Sequence, residues 1–188
     1  AGGPAAAGQQ TLTLDPSQTT ISFTLGATLH TVHGSAPLAR GVVAFDPDGG
    51  AASGEIVVDA QLADTGNEKR DREMHEKVLL SPRFASVALR PTRTEGRVPS
   101  AGTATITVHG SIDLIGGSHE IAVPVEITVS GSAVALRAEF ELPYVDWGMK
   151  DPGKFLLAVD KYVTVTVVGT GTLSGGGPQP SAENQPQP

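Results

Sequence analysis

The chain has 188 residues, 39% hydrophobic and only 4% aromatic, with 23 Gly, 14 Pro and no Cys. That is enough for one core, its Gly and Pro suit short strands and turns better than a helical bundle, and the lack of Cys excludes disulfides, thiolate nucleophiles and thiolate metal sites. Thirteen Lys and Arg against twenty Asp and Glu give −7, which disfavours proteins that work by neutralising nucleic-acid phosphates or anionic lipid surfaces.

Residues 1–9 contain no large apolar side chain and open on AGGPAAAG. Small uncharged residues of this kind are expected after removal of an export signal, so the protein is expected to be exported, to the periplasm or the cell exterior. Residues 1–9 and the Gly/Pro/Gln-rich stretch 175–188 cannot bury enough surface to offset the entropy of ordering them, which leaves 10–174 as the folded domain. Residues 11–14 form a short strand candidate, and Ile21, Phe23 and Leu25 then alternate with Ser22 and Thr24. Further short candidates are 29–33, 42–46 and 55–60, with Ser35-Ala36-Pro37 as an interruption and Asp46-Pro47-Asp48-Gly49-Gly50 as a reversal.

Residues 67–80, NEKRDREMHEKVLL, break this pattern. Strong helix formers, an Asn67 N-cap and a stop at Ser81-Pro82 predict the one long helix. Asp71, Met74, His75 and Val78 fall on one face, while Glu73–Lys77 and Arg72–Glu76 can pair at i,i+4. Strand patterns then resume at 86–90, at Ala104, Ile106 and Val108, and at Ile121, Val123, Val125, Ile127 and Val129. They continue at Val134, Leu136, Ala138, Phe140 and Leu142, and at Val163, Val165 and Val167, with turns at Gly116-Gly117 and at Ser130-Gly131-Ser132. No apolar run approaches the roughly 20 residues of a membrane-spanning helix.

The chain is thus all-β and mostly antiparallel, with one helix. About eight to ten such strands make either a sandwich or a closed barrel. The inward positions are mainly Val, Ile, Ala and Leu, with few large rings, so a barrel interior would be under-filled.

Four stretches in order, LDPSQTTISFTLGATLHTVHG, RDREMHEKVLLSPRF, GSIDLIGGSHEIAVPVEI and FLLAVDKYVTVTVVGTG, resemble the YceI-like family over residues 12–173. The resemblance implies a lipocalin-like antiparallel β-barrel, with the helix near its mouth, whose apolar tunnel holds a polyisoprenoid or similar long-chain lipid. It implies no catalytic residue and, in most members, export. The chain departs from the family where Ala85 follows Phe84 in place of a common Pro, and where Leu114-Ile115-Gly116 replaces a common Leu-His-Gly.

Candidate chemistry is sparse. His30 and His33 point to opposite faces of a strand, and a Gly116-Gly117 turn would separate His109 from His119 by about five residues along the ladder, so no metal site is expected. There is no G-x-S-x-G elbow, P-loop or G-x-G-x-x-G fingerprint. Asp71 and His75 are spaced for an i,i+4 hydrogen bond, read here as a polar pair pinning the helix to the barrel. Eight of the thirteen basic residues, Lys69 and Lys77 among them, fall in 69–97, which is +4 while the remainder is −11; this segment is either a solvated helix face with its flanking strand or one patch that rims the barrel mouth and meets a polar head group.

These readings place an apolar ligand tail against Phe23, Leu25, Met74, Val78, Phe84, Leu89, Ile106, Phe140, Leu142 and Trp147, the last either closing one end of the cavity or only packing under its own loop. The polar head falls to Arg70, Arg72 and His75. The expected ligand is a long-chain isoprenoid, prenyl pyrophosphate or quinone, bound without catalysis and without a further cofactor. Expected partners are this small hydrophobic ligand and, in the other direction, no nucleic acid and no stable membrane insertion; a homodimer is left open. The alternatives are a small hydrolase or isomerase using Asp71 and His75, and a filled-barrel interaction module.

Overall fold

Period-two alternation gives each strand one apolar and one polar face, and burying every apolar face at once requires the sheet to curl on itself. The computed structural model describes residues 8–153 and 159–175, so most of the two expected low-complexity ends lies outside the described residues. Its strands are β1 (Gln10–Leu14), β2 (Thr20–Gly26), β3 (Thr31–Phe45), β4 (Gly50–Asp59), β5 (Ser86–Glu95), β6 (Gly102–Leu114), β7 (Gly117–Ser130), β8 (Ala133–Leu142) and β9 (Val163–Ser174).

From β2 to β9 each strand pairs antiparallel with the next, and β9 returns to β2 with Phe23 opposite Val165 and Ile21 opposite Val167. Eight positions close the barrel. β1 shares the position of β2: it pairs with β3 through Leu12 and Val43, and with β9 through Leu12 and Leu173. A 3-10 turn at Pro16–Gln18 separates them, capped by the Asp15 carboxylate accepting from the Ser17 amide at 2.9 Å.

Of the three prolines inside strands, two lie where the ladder changes. The expected short strands 29–33 and 42–46 are replaced by the single strand β3, and Ser35-Ala36-Pro37 does not interrupt it. Pro37 is the last β3 residue paired with β2, Leu38 is the first paired with β4, and the register shifts between Leu38 and Arg40. Likewise β5 continues past residue 90 through Pro91, at a register shift between Pro91 and Arg93.

The β6–β7 turn is Ile115-Gly116, not Gly116-Gly117, because Leu114 pairs with Gly117. Both turn residues have positive φ, 43° for Ile115 and 81° for Gly116, as a two-residue primed turn demands. His119 therefore stands opposite Ile112, three residues along the ladder from the position opposite Ala122 that His109 holds.

The up-and-down order sorts the connections to two ends. At the closed end Leu12, Leu14, Phe45, Ile106, Ile127 and Val134 belong to one packed apolar cluster. At the other end, the mouth, Leu114, Tyr144 and Met149 form a second, smaller cluster joined by Leu25, Val78 and Val163. The helix lies here between β4 and β5: α1 runs as an α-helix over Glu68–Glu73 and continues as a π-helical turn over Met74–Val78. Asn67 caps it by accepting from the Arg70 amide at 3.0 Å. It stops at Leu80, whose φ of 49° turns the chain out of the helix.

Candidate ligand-binding site

Protein interiors normally pack to crystal density, with few voids larger than a water molecule. This barrel does not. Between the two apolar clusters lies a cavity of about 780 Å³ that opens at the mouth. Mid-barrel side chains that point inward, such as Phe23, Val125, Leu136 and Val165, are only partly buried because they face this space.

The wall follows from the alternation. β2 contributes Phe23 and Leu25, β5 Leu89, β6 Ile106, and β8 Phe140 and Leu142. Phe23 lies across Gly34 on β3, where a Cβ would overlap its ring, so this glycine makes room for the aromatic. Two threonines add hydroxyls at depth. Thr19 donates to the Asp15 carbonyl at 2.7 Å, whereas Thr94 Oγ1 is buried with no partner.

Helix α1 meets the cavity through two i,i+4 rows. Arg70, Met74 and Val78 lie in one row, and Lys69, Glu73 and Lys77 in the other; all six line the cavity, with Lys150 and Asp151 from the β8–β9 connection. The Lys77 ammonium, 2.7 Å from Glu73, holds that carboxyl below its usual range against the opposing effect of burial, with Lys150 and Lys69 adding to it. Arg70 is fixed rather than loose: its Nε donates to Thr65 Oγ1 and its Nη2 to the Thr65 carbonyl, each at 2.8 Å. Burial, with the negative charges of Asp151 and Asp160, pushes the Tyr144 phenol up to about 12. That hydroxyl stays protonated and donates to the Asp160 carbonyl at 2.7 Å.

A third row, Asp71 and His75, faces the connection rather than the cavity, and the two are joined to other residues instead of to each other by the expected hydrogen bond. Asp71 Oδ1 accepts from the amide and hydroxyl of Thr65 at 2.9 and 2.5 Å. Burial pushes this carboxyl up, but these hydrogen bonds, with Asp64 and the charge of His75, outweigh it and leave its pKa below the ordinary value. His75 Nε2 lies 2.8 Å from the Ala63 carbonyl, which can only accept, so Nε2 carries the proton; Nδ1 lies 2.6 Å from Ser81 Oγ. Both residues pin the helix, each through its own partner.

Of the ten side chains expected around an apolar tail, eight line the cavity: Phe23, Leu25, Met74, Val78, Leu89, Ile106, Phe140 and Leu142. Phe84 and Trp147 stand outside it. Phe84 lies under the Arg83 guanidinium, 5.2 Å from its ring centre, and Trp147 stacks on His119 with centroids 4.3 Å apart and planes at 3°. The stack fastens the 143–149 segment, which supplies Tyr144 and Met149 to the wall, to the β6–β7 hairpin.

Of the three expected head-group residues, only Arg70 reaches the lining; Arg72 is exposed and His75 is held in the connection. Lys69 and Lys77, expected only as members of the basic segment, reach the lining as well, and Lys150 joins them from outside that segment. The spacing 69, 73, 77 beside 70, 74, 78 is the sequence signal for the helical pair, and Lys150 has none. The +4 segment is not one patch. Arg90 sits on the outer wall with Glu55 at 3.0 Å and Asp113 at 2.8 Å, and Arg97 pairs with Asp48 near the closed end at 3.4 Å. No group of three or more His, Asp and Glu suited to holding a metal occurs among the described residues.

A closed antiparallel barrel, plugged at one end and hollow toward a helix-flanked mouth, defines a lipocalin-like class of protein. Within that class the chain belongs to the YceI-like domain family, whose model matches residues 12–170. Solved structures share the fold at low identity. A polyisoprenoid binding domain from Saccharophagus degradans, implicated in plant cell wall breakdown, is 14% identical with a TM-score of 0.67, over 86% of this chain and 97% of its own. Burkholderia cenocepacia BcnA is 15% identical with a TM-score of 0.68, over 84% and 98%. The Campylobacter jejuni YceI protein is 11% identical with a TM-score of 0.55, over 79% and 83%. Comparison with curated proteins gives no match.

Proposed function

We propose that this protein binds and shields a single long-chain isoprenoid, a prenyl pyrophosphate or quinone-like lipid, and carries or stores it without altering it. The observation that supports this most is the hollow interior itself. A cavity of about 780 Å³, at roughly 30 Å³ per non-hydrogen atom, takes about 25 atoms, or five isoprene units. Each CH₂ removed from water contributes about 0.8 kcal/mol, so a chain of that length binds tightly even after the entropy lost on association. Longer chains would extend from the mouth, where Arg70, Lys69, Lys77 and Lys150 stand around a polar head. The structural neighbour from Saccharophagus degradans is described as a polyisoprenoid binding domain, which agrees with this reading.

Two observations weigh against the alternatives. Asp71 and His75 engage Thr65, Ala63 and Ser81 and do not line the cavity, so they present no acid or base to a bound molecule. A filled-barrel interaction module would leave no such cavity. Export from the cytoplasm belongs to the same proposal, tested by fractionating cells that express the full-length protein.

Native mass spectrometry of gently purified protein tests the binding reading. The expected result is a bound species removable by organic solvent and identified as an isoprenoid. Protein that arrives empty and takes up neither farnesyl pyrophosphate nor a short-chain ubiquinone overturns it.

A further inference from the structure

Five large apolar side chains stand exposed among the described residues: Leu29, Val42, Leu62, Tyr162 and Val168. Val42 and Val168 lie on the outer wall, in β3 and β9. The other three, exposed at 77%, 63% and 46%, belong to three separate connections that all emerge at the mouth: the β2–β3 turn, the 3-10 turn after β4, and the approach to β9. Backbone ties hold these connections on one rim. Asp160 donates to the Gly26 carbonyl at 2.9 Å and Ala27 pairs with Val159, while Ser35 and Asp64 exchange two hydrogen bonds of 2.9 Å. No turn at the closed end bears an exposed large apolar residue.

Charge divides along the same axis. The described residues of the mouth-end connections, 27–30, 60–85, 115–116, 143–153 and 159–162, contain seven basic and eight acidic residues, so only −1 of the net charge of −7 falls at this end. Lys69, Lys150 and Lys161 are exposed at this end. An anionic surface therefore repels the barrel wall and closed end and admits the mouth. Protruding apolar tips interspersed with lysine ammonium groups suit shallow insertion at the boundary between phospholipid head groups and acyl chains.

We infer that the rim formed by Leu29, Leu62 and Tyr162 is a docking surface for an anionic phospholipid bilayer, which sets the cavity mouth against the membrane so that lipid passes between them without crossing water. The passage of lipid rests on the binding reading above; the docking itself does not. The −7 that disfavoured anionic lipid surfaces is a bulk value, and the mouth is the one end it does not describe.

Flotation with vesicles of phosphatidylethanolamine and phosphatidylglycerol tests this on the whole protein, beside the variant carrying Leu29→Ser, Leu62→Ser and Tyr162→Ser, none of which lines the cavity. Uptake of a fluorescent farnesyl probe without vesicles is read in parallel. The expected result is that the wild type floats and that the triple variant partitions at least about tenfold less, because the apolar area available to the bilayer is removed, while probe uptake is unchanged. Three results overturn the inference: the wild type does not float, the variant floats equally well, or the wild type is a dimer that the variant disperses, which makes the rim a contact between copies. Flotation without probe uptake would instead sink the binding reading and leave the docking surface standing.

Discussion

The two ends of this barrel are built from the same strands with the same alternation, yet they differ in what fills them. At the closed end Leu12, Leu14, Phe45, Ile127 and Val134 meet in a packed cluster whose members keep less than a tenth of their surface accessible. Toward the mouth the inward side chains of the same strands stand back from one another, and the lid over them comes from connections: α1 and the 143–149 segment. Stability is concentrated at one end, whose cluster forms the floor of the cavity, and binding capacity lies above that floor toward the other. A change at the closed end should therefore act on folding, and one in the hollow half should act on ligand.

The sharpest separation comes from substitutions at the two levels. Val134→Ala removes buried methyl groups from a closed-end cluster residue that does not line the cavity, and is expected to destabilise by about 2 kcal/mol in urea unfolding, with farnesyl-probe affinity nearly unchanged. Ala138→Trp, which projects into the cavity, is expected to weaken probe binding by at least about a hundredfold, because it displaces several methylenes of the tail, while leaving stability equal or higher. If both variants lose stability and affinity together, the division of roles fails.

A smaller effect tests the lid. Trp147→Ala removes the His119 stack and is expected to lose about 1 kcal/mol. Amide exchange should accelerate in 143–149 and stay unchanged in the closed-end strands. Thr94→Val addresses the buried hydroxyl without a partner and is expected to stabilise by about 1 kcal/mol in thermal unfolding.

The smallest effect is acid-dependent. Asp71 has a folded pKa below its ordinary value of 3.8, so its contribution is complete above that value and is lost as pH falls through the depressed one. Asp71→Asn should flatten the acid side of the stability profile below about pH 4 and leave the neutral side parallel to the wild type.

Much of the closed end was legible in the sequence because alternation reports burial directly: Ile106, Ile127 and Val134 face inward where the period-two reading puts them. The mouth was harder to read. Pro37 looks like a break until the exchange of partner from β2 to β4 is known, and Ile115 does not resemble a turn residue although its φ is positive. A helix of three i,i+4 rows does not announce which row faces the ligand, and the choice of Asp71 with His75 took the row that anchors the helix to its connection. Trp147 offered apolar surface but no sign of the His119 ring that holds it outside the cavity. The charge excess in 69–97 dissolved for a related reason: residues close in sequence were distributed to the lip, the outer wall and the closed end.

The central claim is that the hollow half of the barrel is where a lipid chain lies. Isotope-filtered NMR of the labelled protein with unlabelled farnesyl pyrophosphate tests it most directly. The account predicts intermolecular contacts to Phe23, Val125 and Phe140 and none to closed-end residues such as Val129 and Val134. Contacts confined to the outer wall, or none at saturating ligand, would contradict it.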